Sequence, residues 1–321
     1  MSAALLDGKA VAATIRAEVA RDVAAFRRRT GTTPRLAALL VGDDPASAVY
    51  VRNKIAACAE AGIRSAEMRL PGDAGQERIA RAVGELNDDD DIDGILVQLP
   101  LPQDVDRLAI LSAIDPAKDV DGLHPMNVGR LAMKLDAPLP CTPAGVIELL
   151  QRSHLPIAGE RAVIVGRSEI VGRPLATLLM HRDATVTVCH SKTRDLPAIT
   201  RQADLLVAAI GRPGFVRGEH IRRGATVIDV GINRVEDVTL LEELFGAGSP
   251  RLARAKEKGF ALVGDVHPQE GAAQAGYLTP VPGGIGPLTI ACLLGNTLRA
   301  AVRRRESAGR RPPAPARPGP R

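Results

Sequence analysis

Tryptophan is absent from this chain, and with only two tyrosines and four phenylalanines the aromatics make up 2% of its 321 residues. Single-stranded nucleic acid is held by aromatic faces on which bases stack, and a chain this poor in rings cannot furnish such a platform. Cysteine is scarce too. Cys58, Cys141, Cys189 and Cys292 stand far apart with no C-x-x-C pair, which argues against a disulfide scaffold and against a thiolate zinc site. The six histidines show no H-x-x-x-H spacing, so no metal site is readable. Cys58, Cys189 and Cys292 lie in apolar runs, where a reduced cysteine serves as a small core residue. The opening MSAALLDGKA lacks the charged-then-apolar order of a secretion signal, and no apolar stretch approaches a membrane span. The expectation is a cytoplasmic protein with neither a nucleic-acid partner nor a membrane.

The formal charge of +5 is concentrated at one end. From Arg303 to Arg321 seven arginines face one glutamate, a local +6 that leaves the remainder near neutral at −1. Residues 306–321 are rich in Pro and Arg and have nothing to bury, so they read as a disordered tail. The acidic run Asp88 to Asp91 reads as a solvated loop, because like charges repel and stay in water.

What the chain has is Ala, Val, Leu and Ile, within a hydrophobic content of 45%. Its length suits two domains. Residues 9–28 read as an amphipathic helix, RLAALLVG (35–42) as a buried strand, SAEMRL (65–70) as a strand, 75–87 as a helix and DGILVQLP (93–100) as a strand. A second series follows. Thr142 can cap a helix beginning at Pro143, and RAVIVG, ATVTVCHS, ADLLVAAIG and ATVIDVG are four strand candidates between 161 and 231. Residues 287–305 read as a final helix with Pro287 in its first turn. The fold class expected is α/β in two domains, the second a Rossmann-like doubly wound parallel sheet.

VIVGRSEIVGRP turns from a strand into a helix. Gly166 lets the backbone turn, Ser168 offers a hydroxyl near the helix start and Gly172 permits close packing, a setting in which backbone N–H groups favour a pyrophosphate. The spacing is G-x-S-x-x-x-G rather than G-x-G-x-x-G, so an ordinary glycine-bearing turn is the plain alternative. The next strand ends VCHSK, with Ser191 and Lys192 and no acid to hold a ribose 2′-hydroxyl. With Arg167 in the first loop, cations and a hydroxyl suit a 2′-phosphate, which favours NADP over NAD.

Three stretches in the first half carry polar groups of interest. Tyr50 and Lys54 lie four apart in VYVRNKIAACAEAGI, on one helical face that stops at Gly62. Gln98 ends an apolar strand, at the sheet edge where ligands bind. Asp119 and Asp121 sit in KDVDGLHPMN between prolines. Each has a plain alternative: a surface pair, a loop-satisfying amide, a turn-forming Asp. Tyr-x-x-x-Lys also occurs in short-chain dehydrogenases, but there the glycine fingerprint precedes the tyrosine, and here the order is reversed.

Taken in order, SAVYVRNKIAACAEAGI, DGILVQLPLP, KDVDGLHPMNVGRL, PCTPAGVIELL, VIVGRSEIVGRPLATLL, TVCHSKT, IDVGIN, VGDV and TPVPGGIGPLTIACLLGNT resemble the bifunctional methylenetetrahydrofolate dehydrogenase / methenyltetrahydrofolate cyclohydrolase family, up to about residue 302. The resemblance implies NADP-dependent oxidation of 5,10-methylenetetrahydrofolate, then hydrolysis of the methenyl product to 10-formyltetrahydrofolate, in the one-carbon supply to purine biosynthesis. It places the catalytic lysine at Lys54, a stacking tyrosine at Tyr50, a lysine-tuning glutamine at Gln98 flanked by Val97 and Leu99, and a pterin-binding aspartate at Asp121. It assigns the cofactor to Gly166, Arg167, Ser168, Ser191 and Ile232, and the folate loop to Pro282, Gly283 and Gly286. It implies a folate-binding catalytic domain over 1–141 plus 285–305, an NADP-binding domain over 142–284, and a homodimer through the latter. An uncharged amine can take a proton from attacking water; an arginine, always charged, cannot replace it. The chain departs from the family in a longer connection at about 235–260, expected to add surface structure, and in His267 and Pro268 after VGDV. A different two-domain nicotinamide enzyme, such as an amino-acid dehydrogenase, would need a carboxylate clamp that the sequence does not offer. A nucleotide sensor that has lost its chemistry would have no use for Lys54, Gln98 and Asp121.

Overall fold

The structure, a computed structural model, describes residues 2–309. The chain runs β1 (Ala4–Leu5), α1 (Gly8–Thr30), β2 (Arg35–Val41), α2 (Pro45–Glu60), β3 (Arg64–Leu70), α3 (Gly75–Asp88) and β4 (Gly94–Val97). Helices α4 (Arg107–Ala113), α5 (Pro125–Ala132) and α6 (Cys141–Arg152) lead to β5 (Arg161–Val165), α7 (Gly172–Met180), β6 (Thr185–Cys189), α8 (Leu196–Thr200), β7 (Leu205–Ala208) and β8 (Thr226–Asp229). Then come β9 (Asn233–Val235), α9 (Val238–Phe245), α10 (Pro250–Lys258), β10 (Ala261–Val263), α11 (Pro268–Gln274), β11 (Tyr277–Leu278) and α12 (Ile285–Gly309). Two compact units emerge, one of residues up to Glu18 with Asp121–Leu293, the other of Val19–Val120 with the chain from Leu294 onward. Two of the divisions fall inside α1 and α12.

In the Val19–Val120 unit a parallel three-stranded sheet runs β3-β2-β4. Its central strand, RLAALLV, is buried from Leu36 to Val41, as a strand covered on both faces must be. The register sets Leu39 opposite both Met68 and Val97, so the carboxyl ends of β2 and β4 lie side by side. Helix α2 starts where Asp44 Oδ2 accepts from the Ser47 N–H at 2.8 Å, with Pro45 in the first turn. Asp44 is thus a helix cap as well as a turn residue. Gly62, at φ 75°, ends the helix as its position in the sequence predicts.

Lys118 occupies an unexpected place in this unit. Its side chain is 2% exposed, and its Nζ donates to the carbonyls of Leu86, Asn87 and Asp89 at 3.1, 2.7 and 2.7 Å. Those are the last carbonyls of α3, which have no intrahelical donor, and a buried ammonium satisfies them together. The acidic run is therefore more than a solvated loop: Asp90 also accepts from Arg304, and Asp91 pairs with Arg35 at 3.5 Å.

The other unit holds a six-stranded parallel sheet, ordered β1-β11-β8-β7-β5-β6. The four strands read from sequence are its β5 to β8. β1 and β11, of two residues each, are too short to carry a periodic signal. From β5 the chain moves outward to β6, then crosses back to β7 on the other side, so the order reverses between β5 and β7. Such a switch point leaves a crevice at the carboxyl ends of the strands.

The 235–260 connection forms α9 and α10 within an antiparallel β9–β10 ribbon. It buries Leu241, Leu244, Phe245, Leu252 and Ala255 in a small core of its own with Val235 and Val263. Thr142 does not cap α6. That helix begins at Cys141, two residues earlier than expected, with no side-chain cap, and the Thr142 hydroxyl bonds Thr289 at 3.0 Å instead. His267 caps α11, its Nδ1 accepting from the Glu270 N–H at 3.4 Å, and so fits the departure from the family pattern into a regular helix start. All four cysteines are reduced and buried. One helix contradicts the expectation about long apolar stretches: Ile285–Arg305 is long and apolar enough to cross a membrane, though 61% of its apolar window is buried inside the protein. The Pro/Arg tail beyond Gly309 lies outside the described residues.

Replacing Lys118 by Met removes the donor that the Leu86, Asn87 and Asp89 carbonyls share, leaving Asp89 only its bond from the Ile92 N–H, and is expected to cost about 3 kcal/mol. Urea unfolding of the variant checks this; a midpoint equal to that of the parent chain contradicts it.

Candidate functional site

Helix α2 and strand β4 together place one polar pair. Gln98 follows β4 directly, and its N–H donates to the Leu39 carbonyl at 2.9 Å, which extends the ladder and fixes the backbone. Its amide is held at both ends. Nε2 donates to the Leu99 carbonyl at 2.6 Å, and Oε1 accepts from Lys54 Nζ at 3.0 Å. A carbonyl can only accept, so the NH₂ faces Leu99 and the oxygen must face the lysine. Lys54 therefore meets a fixed acceptor that carries no charge.

Tyr50 lies one turn before Lys54 on α2 and is 40% exposed, enough to offer a ring face. Burial raises its phenol above the usual range, so it stays neutral. Cys58, one turn beyond Lys54, is sealed in the core. Burial pushes its thiol up to about 12, against the pull of the Lys54 charge, which rules it out as a thiolate nucleophile at neutral pH. Val97 is buried and Leu99 half-buried beside Gln98. Of the two loop carboxylates, Asp119 is buried and its backbone bridges to Ile95, whereas Asp121 is half-buried. Asp121 belongs to the other compact unit.

In that other unit, the register sets Val165 against Cys189 and Ala208, and Ala208 against Asp229, so four carboxyl ends line up along one edge. At the switch point the approach is too close for side chains. A Cβ on Gly166, at φ 133°, would lie 2.1 Å from the Ala209 carbonyl oxygen. One on Gly172 would lie 2.2 Å from the Gly166 oxygen. Two glycines therefore leave backbone alone around the crevice floor. Ser168 Oγ accepts from the Val171 and Gly172 N–H groups at 3.2 and 3.3 Å, capping α7 from within the loop. Arg167 and Ser191 are exposed on the turns after β5 and β6, with Lys192 next to Ser191. Ile232 follows β8, is 39% exposed, and lies 3.3 Å from where a Gly286 Cβ would be. Pro282 is exposed, and Gly283 adopts φ 112°. The structure thus gathers Gly166, Arg167, Ser168 and Ser191 along one edge, and brings Ile232 to Gly286.

One residue in this unit escaped the sequence reading. Asp265, fully buried, accepts from the backbone N–H groups of Ile210, Gly211 and Arg212 at 2.7, 3.0 and 2.8 Å and from Asn233 Nδ2 at 2.9 Å. It shapes the loop after β7 that borders the switch point. Its own N–H donates to Asp229 Oδ1 at 2.9 Å, and Asp229 also accepts from Gly231 and Val266. Burial pushes the Asp229 carboxyl up to about 7, while these N–H donors pull the other way. An acid within the apolar string LVGDV was the available signal.

A parallel sheet with a glycine-cleared crevice at its switch point, in a chain that also carries a lysine held by a neutral amide, defines a dinucleotide-binding α/β protein with acid–base capacity. Comparison with known proteins narrows this class. Residues 6–121 match the tetrahydrofolate dehydrogenase/cyclohydrolase catalytic domain, and 140–305 match the NAD(P)-binding domain of the same family. A bifunctional FolD protein of Koribacter versatilis is 52% identical over 305 residues, covering 95% of this chain and 99% of its own. One from Rubrobacter xylanophilus is 52% identical over 306 residues, covering 95% and 100%. Among solved structures, the Campylobacter jejuni FolD enzyme is 44% identical, with a TM-score of 0.84 and coverage of 94% and 100%. The Trypanosoma brucei enzyme, complexed with NADP and an inhibitor, is 43% identical, with a TM-score of 0.85 and coverage of 95% and 99%. The chain belongs to the tetrahydrofolate dehydrogenase/cyclohydrolase family.

Asp265→Asn turns an amide NH₂ toward donors that need an acceptor. The dissociation constant for the nicotinamide dinucleotide is expected to rise about tenfold, alongside a loss of about 2 kcal/mol in stability. Calorimetric titration checks the first; unchanged affinity contradicts it.

Proposed function

We infer that this chain oxidises 5,10-methylenetetrahydrofolate to 5,10-methenyltetrahydrofolate with NADP, and hydrolyses the methenyl product to 10-formyltetrahydrofolate. The observation that carries the chemistry is the 3.0 Å contact of Lys54 Nζ with the neutral amide oxygen of Gln98. NADP⁺, when bound, takes the hydride from the methylene carbon. The glycine-cleared crevice at Gly166 and Gly172 fits a pyrophosphate against backbone N–H groups. Arg167, Ser191 and Lys192, with no acid among them, suit the 2′-phosphate that separates NADP from NAD. Ile232 stands beside this cofactor position.

Hydrolysis needs two protons moved. Water adds to the electron-poor bridge carbon, and one of its protons passes to the Lys54 amine acting as base. The bond from that carbon to N5 then breaks as N5 takes that proton, and the remaining O–H proton leaves to solvent as the formyl carbonyl forms on N10. The positive methenyl group itself disfavours an ammonium beside it, and Gln98 orients the amine without adding an opposing charge. In this reading Tyr50 gives the folate a ring face, and Val97 and Leu99 flank Gln98. Asp121 accepts from the pterin amino edge, and Pro282, Gly283 and Gly286 line the folate pocket. The folate-binding catalytic domain would then be 1–141 with 285–305, and the NADP-binding domain 142–284. We read the protein as a cytoplasmic homodimer serving one-carbon supply to purine biosynthesis, with no nucleic-acid or membrane partner; four reduced cysteines support the compartment.

Lys54→Gln is expected to lower cyclohydrolase turnover by at least about a hundredfold with NADP affinity retained. Following the methenyl absorbance as it decays reads the result; cyclohydrolase activity near that of the parent chain would overturn the role of Lys54.

A further inference from the structure

The 235–260 segment builds its own small core, and one of its side chains leaves that core. Arg251, in the first turn of α10, stacks its guanidinium over the Phe245 ring at 4.2 Å to the centroid. From there its Nη2 donates to the Leu262 carbonyl at 2.8 Å and to the Val281 carbonyl. The helix start that aims it is capped by Ser249 Oγ, which accepts from the Leu252 N–H at 3.1 Å. Val281 immediately precedes Pro282 and Gly283. The far end of the same loop abuts the first turn of α1, where a Cβ on Gly8 would lie 1.7 Å from the Gly284 oxygen. On the near side of that loop, Thr279, Pro280 and Val281 border a cavity of about 190 Å³ that Arg251 and Asp229 also line. Beside this open space the guanidinium gives the Val281 carbonyl a fixed donor. A charged planar donor shared by two carbonyls gives both strength and direction.

We propose that Arg251 is a positioning residue through which the 235–260 segment sets the 281–284 loop for the folate substrate. The proposal rests on the folate reading of that loop given above. It gives the segment a task in the reaction beyond surface cover.

The test uses the full-length chain carrying Arg251→Ala or Arg251→Lys. In the alanine variant the KM for methylenetetrahydrofolate and for methenyltetrahydrofolate is expected to rise about tenfold. The KM for NADP and both kcat values should stay within about twofold, and the lysine variant should recover part of the loss. Hydrogen exchange at the Gly283 and Gly284 amides should quicken in the alanine variant without any substrate present. Unchanged folate KM, or unchanged exchange, overturns the proposal, and so does a rise of NADP KM in parallel with folate KM alongside a lower melting temperature. Should the alanine variant fail to fold, exchange in the lysine variant decides by the same criterion. A parent chain with neither activity would instead overturn the folate reading itself, and the exchange result would still report whether Arg251 holds the loop.

Discussion

Lys54 has an amide rather than a carboxylate as its fixed partner. A carboxylate at 3 Å would hold the ammonium charged through a strong charge-assisted bond. The amide oxygen of Gln98 aligns the amine without adding a negative charge beside it. Its own orientation follows from the Leu99 carbonyl, which accepts from the amide NH₂, so the strand end, the amide and the amine form one chain of constraints. Helix α2 needs its Asp44 cap and its Gly62 stop to deliver Lys54 to that point.

The nucleotide crevice is built on the opposite principle, the removal of side chains. Gly166 and Gly172 bring backbone against backbone at the one place where the strand order reverses. The loops beyond β7 and β8 are held in addition by two buried carboxylates: Asp265 accepts from the backbone N–H groups of Ile210, Gly211 and Arg212, and Asp229 from those of Gly231, Asp265 and Val266. That arrangement sets two buried carboxyls beside the switch point, where the backbone N–H groups that satisfy them are also the groups that shape the loops.

Much of this was legible in the sequence. The strands β2 and β5 are unbroken apolar runs, the Tyr50–Lys54 spacing needs only helical geometry, and the glycines of the crevice sit in one short string. What was not legible depends on groups that meet from distant parts of the chain. Asp265 reaches a loop more than fifty residues away, and Lys118 closes a helix about thirty residues before it; neither residue has a local pattern. Thr142 misled because cap preference is a local tendency that a tertiary partner, Thr289, overrode. The two-residue strands β1 and β11 exist only because the sheet edge beside them offers partners.

The neutrality of the lysine's partner is tested most directly by Gln98→Glu, which keeps the side chain's shape and adds one negative charge beside Lys54. Cyclohydrolase turnover measured at neutral pH should drop by at least about a hundredfold, because the carboxylate would hold the ammonium charged. Turnover equal to that of the parent chain would contradict the account, since it would mean that the charge state of Lys54 is immaterial to the reaction.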